Sequence, residues 1–408
     1  GQIFSQLAQN ALLFILALRI YQTTTSNTAV SVLFFVYGVP AVVFGLVAGT
    51  IVDKLDRRNV LLFCDITRAS LTVFLIFATR NIPMIYAVTL VNAIINQFYV
   101  PAEGPTIPTL VPSHLIVTAN SLFSFTYFTS LAVGSILAGP FLRLFGPFWI
   151  FFVMGGLFLF AAWNVSHIPA GESGDETLAK RLKGMTAGYI ASRIIANIRD
   201  GISYVHGSPL LADALMLLTG TQIILAILGT LGPGFADKVL HIDIHDASLL
   251  ITGPVVVGIV LGALWVGHAG RRLGTGRLIT MGVIAAGVLL LATALLALLE
   301  PWAGFTSFFA GNGVIVLAGT LFFFLGVANS FLDVPANSIL QEETQGTMRS
   351  RIYGMLGAAV GGVGVLPVVV GGILADVVGI GNVLAILGVC VLLYGVARTR
   401  RTAQNTVY

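Results

Sequence analysis

Few side chains in this chain are equipped for chemistry, and they recur at helical spacing inside long apolar runs. Asn92, Asn96, Tyr99 and Glu103 stand four, three and four positions apart, so one helix carries them on a single face. Asn120, Ser124, Tyr127 and Gly134 repeat the pattern further on. Asn329 and Asp333 are four apart, Gln6, Gln9 and Asn10 cluster near the start, and Thr221 adjoins Gln222. Polar side chains in apolar surroundings are costly and turn toward a bundle interior or toward water. Gln9, Asn10, Asn92, Asn96, Tyr127, Gln222 and Asn329 are therefore read as residues that hold a ligand by hydrogen bonds. Glu103, Asp213 and Asp333 place carboxylates near the ends of apolar runs. Together with Arg19 they are the candidates for proton binding and coupling. No carboxylate is expected in the middle of a run, which favours a neutral, amphipathic or zwitterionic ligand.

The same inventory argues against catalysis. No acid/base pair or nucleophile constellation sits at depth, and no lysine follows glycines in the phosphate-cradling pattern. Neither an enzyme nor a cofactor is expected. His241, Asp243, His245 and Asp246 offer few and exposed ligands and read as a hydrated loop rather than a metal site. Cys64 and Cys390, the two cysteines, each lie inside an apolar run and form no disulfide framework.

The elements that position these residues follow from composition. Of 408 residues, 57% are hydrophobic and 9% charged, with a mean hydropathy of +0.95. Soluble domains carry about 25% charged residues, so this is an all-α integral membrane protein. Strands with the alternating pattern of a membrane barrel are absent. Twelve spans are predicted, at 3–22, 29–52, 59–79, 84–102, 115–140, 146–166, 209–234, 247–268, 277–299, 312–334, 351–375 and 379–397. They group as a half at 1–166, a polar linker at 167–208 and a second half at 209–408. Within the linker, Ile194, Ile195, Ile198 and Ile202 predict an amphipathic helix at the membrane surface. With both termini inside, seventeen Lys and Arg fall on the inner side, among them Lys54, Arg57, Arg58 and Arg68, against four on the outer side (Arg19, Arg80, Arg143 and Lys238). The net charge of +4 thus marks topology and gives no nucleic-acid surface.

The halves repeat one another. The basic stretch Gly49 to Asn59 recurs from Gly267, 218 positions later, as a stretch carrying Arg271 and Arg272. Val100-Pro101-Ala102 closes the fourth span and Val334-Pro335-Ala336 the tenth, 234 positions on. GPFLRLFG from Gly139 is echoed 233 positions later by GILADVVG from Gly372. Halves of equal order and orientation form a parallel repeat about an axis along the membrane normal.

Twelve spans in two six-helix halves, a central inner loop and the motif Gly49-x-x-x-Asp53-x-x-x-Arg57-Arg58 resemble the major facilitator superfamily over essentially the whole chain. PAEGPTIPTLVP from Pro101, with Thr118-Ala119-Asn120-Ser121, resembles the branch of enterobactin and macrolide exporters. Asn10-Ala11-Leu12-Leu13-Phe14 and Ile339 to Glu342 resemble lysophospholipid transporters. The resemblance implies two pseudo-symmetric halves rocking about a central cavity. It also implies gating contacts by Asp53, Arg57 and Arg58, with Asp53 facing the start of the eleventh span and the two arginines pairing with acids such as Asp65. Arg271 and Arg272 form the second copy. Here the fourth span lacks the arginine that drug–proton antiporters of this superfamily carry. The expected function is secondary active transport, without catalysis, of a drug-like or siderophore-like molecule outward, coupled to protons. The alternative is a lysophospholipid flippase. The expected partners are the cargo, protons and the lipid bilayer, and the expected state is a monomer in the inner (cytoplasmic) membrane.

Overall fold

The computed structural model describes residues 1–52, 55–78, 81–103, 106, 111–112, 115–169, 204–300, 312–344, 352, 355–357, 359 and 364–405. The linker helix predicted at 191–204, apart from Tyr204, lies outside the described residues, as does Asp53. The helices are α1 (Gln2–Thr24), α2 (Asn27–Val52), α3 (Arg57–Phe74), α4 (Ile82–Glu103), α5 (Ile116–Ser166), α6 (Pro209–Lys238), α7 (Gly253–Leu273), α8 (Thr275–Leu299), α9 (Gly313–Glu343), α10 (Val365–Val378) and α11 (Ile380–Asn405).

Ten stretches among the described residues are long and apolar enough to cross a membrane, and one of them, Phe125–Ser166, is 42 residues long. A helix of that length measures about 60 Å, twice the apolar thickness of a bilayer. It therefore holds two crossings, divided at Gly146, whose φ of 72° and ψ of 171° break the helix. The shorter apolar helix α10 completes twelve. Gly379, the repeat partner of Gly146, also has positive φ, at 91°, and separates α10 from α11. The sequence echo between GPFLRLFG and GILADVVG is thus a structural one: each half turns between its last two crossings on a residue without Cβ.

The fourth span ends within one residue of the expected 102, whereas the tenth was ended too early at 334. Pro101 lies inside α4, which runs to Glu103, and Pro335 lies inside α9, which runs to Glu343. Among the described residues of the eleventh span, 352 and 355–357 are helical and the continuous helix α10 begins at Val365.

Helix starts follow local chemistry. Asp56 accepts the Arg58 N–H at 2.9 Å and starts α3. Ser208 accepts the Leu211 N–H at 3.3 Å, with Pro209 in the first turn of α6.

Contacts divide the chain into two compact units. One comprises Gly1–Thr23, Leu33–Tyr204 and Arg351–Val365; the other comprises Thr24–Val32, Val205–Ser350 and Leu366–Tyr408. In the first, α1 lies against Gly134 of α5, where a Cβ would meet the Leu7 carbonyl at 2.9 Å. In the second, a Cβ on Gly326 of α9 would overlap the Val255 carbonyl of α7, and one on Gly258 of α7 would overlap the Phe323 carbonyl of α9. Gly287 of α8 faces Leu392 of α11, and Gly388 of α11 faces Leu291 of α8. Without a hydrophobic drive between helices in lipid, such close backbone approach supplies the packing. Large apolar side chains such as Phe77, Leu144 and Trp149 remain exposed, as a bilayer-facing surface requires.

Candidate functional site

The densest polar cluster lies in the first unit, on α1, α3 and α4. Arg68 is 1% exposed and Asp65 0%. Their closest approach is 3.8 Å, and Ser5 bridges them. The Ser5 Oγ donates to Asp65 Oδ1 at 2.7 Å and accepts from Arg68 Nη1 at 3.2 Å. Arg68 Nη2 donates to Asn96 Oδ1 at 2.6 Å, and the guanidinium lies 4.4 Å from the centre of the Tyr99 ring. Glu103 ends α4 one turn beyond Tyr99 and shares a cleft with it, which extends the chain of contacts. Two buried atoms of the cluster lack partners, Asp65 Oδ2 and Arg68 Nε.

At its outer edge the cluster meets a cleft of about 240 Å³ lined by Gln2, Leu61, Tyr99, Glu103, Phe123 and Asn164, among others. Glu103 therefore touches both the buried arginine network and open space. An acid so placed can exchange a proton with the cleft while its charge acts on Arg68 and Tyr99.

Two sequence expectations are corrected here. Arg68, counted with the inner-face cations, is buried inside the unit. Asp65, assigned as a partner of Arg57 or Arg58, is instead held by Ser5 and Arg68. Arg58 Nη2 donates to the Ser166 carbonyl at 2.6 Å, which ties the start of α3 to the end of α5. The buried arginine of this unit stands on the third span. The signal for it was present: Asp65 and Arg68 are opposite charges three apart within an apolar run.

The polar stripe of α4 is brought together largely as its spacing requires, but it faces α1 and α3. Asn96, read as a cargo contact, is engaged by Arg68. Asn92 is 3% exposed. Gln9 is also buried, and the Asn10 Nδ2 donates to the Gln6 carbonyl one turn earlier at 2.8 Å. Tyr127 is exposed, and Arg19 donates to Gln22 at 3.1 Å.

In the second unit, Gln222 is exposed on α6. Asn329 lines a small cavity of about 30 Å³ whose other walls are mostly aliphatic, including Leu228, Leu290 and Leu332. Asp213 is bound by Arg398 Nη1 at 2.5 Å and by the Tyr394 hydroxyl at 3.1 Å, so its charge is spent within the unit. Asp333 accepts from Asn337 at 3.2 Å. His241 contacts Glu300 at 3.0 Å, whereas His245 contacts Asp243 at 2.5 Å. Among the described residues no group of three or more metal-ligating side chains gathers. Arg57 opens α3. Arg271 and Arg272 fall in the last turn of α7, with their side chains outside the described set.

Twelve apolar crossings built as a repeated six-helix unit, with a buried charge pair in the first unit and buried polar side chains in both, define a multi-pass membrane transporter. The chain belongs to the Major Facilitator Superfamily, whose model matches residues 1–322. It is 24% identical over 388 residues to the uncharacterized MFS-type transporter YfiS of Bacillus subtilis strain 168, covering 94% of this chain and 87% of that one. It is 28% identical over 143 residues to Macrolide efflux protein A of Streptococcus pyogenes, covering 33% of this chain and 34% of that one. Among solved structures, the nucleoside transporter NupG superposes with a TM-score of 0.71 at 14% identity, covering 98% of this chain and 96% of that one. The D-xylose-proton symporter superposes with a TM-score of 0.68 at 14% identity, covering 98% of this chain and 97% of that one.

Proposed function

We propose that this transporter exports small amphipathic molecules by alternating access, driven by protons, from the cytoplasm of a bacterium whose inner membrane it spans with both termini inside. The observation that carries the reading is the buried Asp65–Ser5–Arg68–Asn96 network joined through Tyr99 to Glu103 beside the cleft. Burying this much charge is expensive, and such groups in membranes mark ion or proton pathways. Glu103 takes a proton from the cleft, its charge on Arg68 and Tyr99 disappears, and the network changes partners. Release of the proton to the other side resets it. Macrolide efflux relatives support an apolar cargo with hydrogen-bonding groups. Tyr127 and Gln222, which are exposed, and Asn329, which supplies a polar contact in an aliphatic wall, suit such a cargo. Asp53, Arg57 and Arg58 gate the inner face, with Arg271 and Arg272 as their weaker copy. Asp213 serves as a structural tie, and Asp333 is a second proton carrier.

The test is purified protein in liposomes under an imposed pH gradient, with interior pH followed as erythromycin, a siderophore or a lysophospholipid is added. Proton movement triggered by erythromycin and abolished by Glu103→Gln is the expected result. Cargo movement without proton movement, or full coupling in Glu103→Gln, refutes the assignment. Movement of lysophospholipid alone would replace the export reading with the flippase one.

A further inference from the structure

The first turn of α2 is held by a residue that none of the foregoing uses. Asp376 of α10 accepts five hydrogen bonds from three consecutive residues. They come from the Ser26 hydroxyl at 2.6 Å, the Asn27 N–H and side-chain amide at 2.9 Å each, the Thr28 N–H at 2.8 Å and the Thr28 hydroxyl at 2.7 Å. The Ser26 hydroxyl oxygen also accepts the Ala29 N–H at 3.3 Å. A helix start leaves four N–H groups without intrahelical partners and carries partial positive charge. Here three of them are answered, two by a carboxylate almost the length of the chain away.

The seat beneath this turn is close-fitting. A Cβ on Gly372 of α10 would meet the Ser31 hydroxyl at 2.5 Å and the Asn27 carbonyl at 2.8 Å, and one on Gly234 of α6 would overlap the Asn27 amide. Asn27 and Ser31 are accordingly 0% exposed. Yet the joint is not sealed. The Asp376 side chain is open to solvent, and Asn27 Oδ1 is buried without a hydrogen-bond partner. Water competes for the carboxylate, and lifting the turn hydrates the stranded oxygen. A joint of good fit but incomplete satisfaction opens at modest cost. The division of the chain also falls here: Thr24–Val32 group with α10 and α6, whereas α2 from Leu33 groups with the first unit. In the repeat, the position of Asp376 is occupied by Arg143, a cation that cannot cap a helix start.

We propose that Asp376 and the first turn of α2 form a releasable latch, closed in this structure and open in another state of the transport cycle. The purpose of the latch rests on the transport reading, but its existence is tested without cargo. Ser31→Cys is introduced into a Cys390→Ser background, and the protein in nanodiscs, open to reagent on both faces, is exposed to a charged maleimide. Slow labelling is expected, and Asp376→Ala accelerates it about tenfold, as loss of charge-assisted bonds to a partly solvated group implies. Should that variant fail to assemble, Ser26→Ala with Thr28→Val removes two hydroxyl donors, leaves the carboxylate, and gives a smaller acceleration. An unchanged labelling rate in a folded variant overturns the latch.

Its role in the cycle is read from Thr28→Cys paired with Asp376→Cys. Oxidation to the disulfide stops erythromycin movement in liposomes and reduction restores it. Undiminished transport with the pair fully crosslinked also overturns the proposal. Failure of the uncrosslinked protein to move erythromycin counts against the export reading alone, and the labelling rate still decides the latch.

Discussion

Replacing Arg68 separates what the buried network does for stability from what it does for transport. Arg68→Met removes the cation opposite Asp65, both groups being almost fully buried. Removing one partner of a buried pair costs about 3–5 kcal/mol, because the other charge is stranded. The variant also forfeits the bond to Asn96 and the stacking on Tyr99, worth about 1 kcal/mol each. A total loss of about 5 kcal/mol is expected. In the double variant Asp65→Leu with Arg68→Met no charge remains to be stranded, and replacement of a buried pair by apolar groups is commonly neutral or better. Ser5 and Asn96 still lose their partners, so a residual loss of about 2 kcal/mol is expected. The double variant is thus expected to be about 3 kcal/mol more stable than Arg68→Met alone, well beyond the scatter of independent sites, and Asp65→Leu completes the cycle that gives the coupling. Equilibrium denaturation in detergent micelles measures all four corners of this cycle. A single variant no less stable than the double, or a loss under 1 kcal/mol for Arg68→Met, refutes the claim that Asp65 and Arg68 form a charged pair. Transport assays on the stable double variant then isolate function. Proton-coupled movement should be absent although the protein folds.

Two further outcomes follow from the second unit. Asp213→Asn breaks the contact with Arg398, whose partners are 28% and 16% exposed. A loss of about 1–2 kcal/mol in micellar denaturation is expected, with an unaltered pH dependence of transport; a shifted pH profile would make Asp213 a proton carrier. Gly326→Ala forces a methyl group onto the Val255 carbonyl, and a rigid backbone contact leaves it nowhere to go. The loss should exceed the usual overpacking cost of about 1–3 kcal/mol, visible as reduced yield and melting temperature, whereas Gly220→Ala, which meets no neighbour, should be silent.

The apolar runs, their doubling and the two turning glycines were legible because each is a local property. Length and hydropathy define a crossing, and a fixed offset between similar stretches defines a repeat. The end of the tenth span at Val334 was misjudged because proline is normally a stop signal; the chain stays helical past Pro335 to Glu343. Arg68 was misplaced for a different reason. It was counted with the inner-face cations although it stands in the middle of span 59–79, and its partners, Ser5 and Asn96 on two other helices, show that it points inward. What the spacing of Asn92, Asn96, Tyr99 and Glu103 conveyed was a shared face, not which neighbour that face meets.

Asp376 is the limiting case. Ser26 at the start of α2 accepts the Ala29 N–H as the first half of a capping box, whose second half is an acid three residues later that reaches back to the cap's own N–H. That position is Ala29. The acid is supplied instead from α10, and no periodicity connects residue 26 to residue 376. A local motif left incomplete is nevertheless a legible signal. It says that a helix start must find its negative charge elsewhere, and in a membrane protein with seventeen acidic residues the choice of supplier is short.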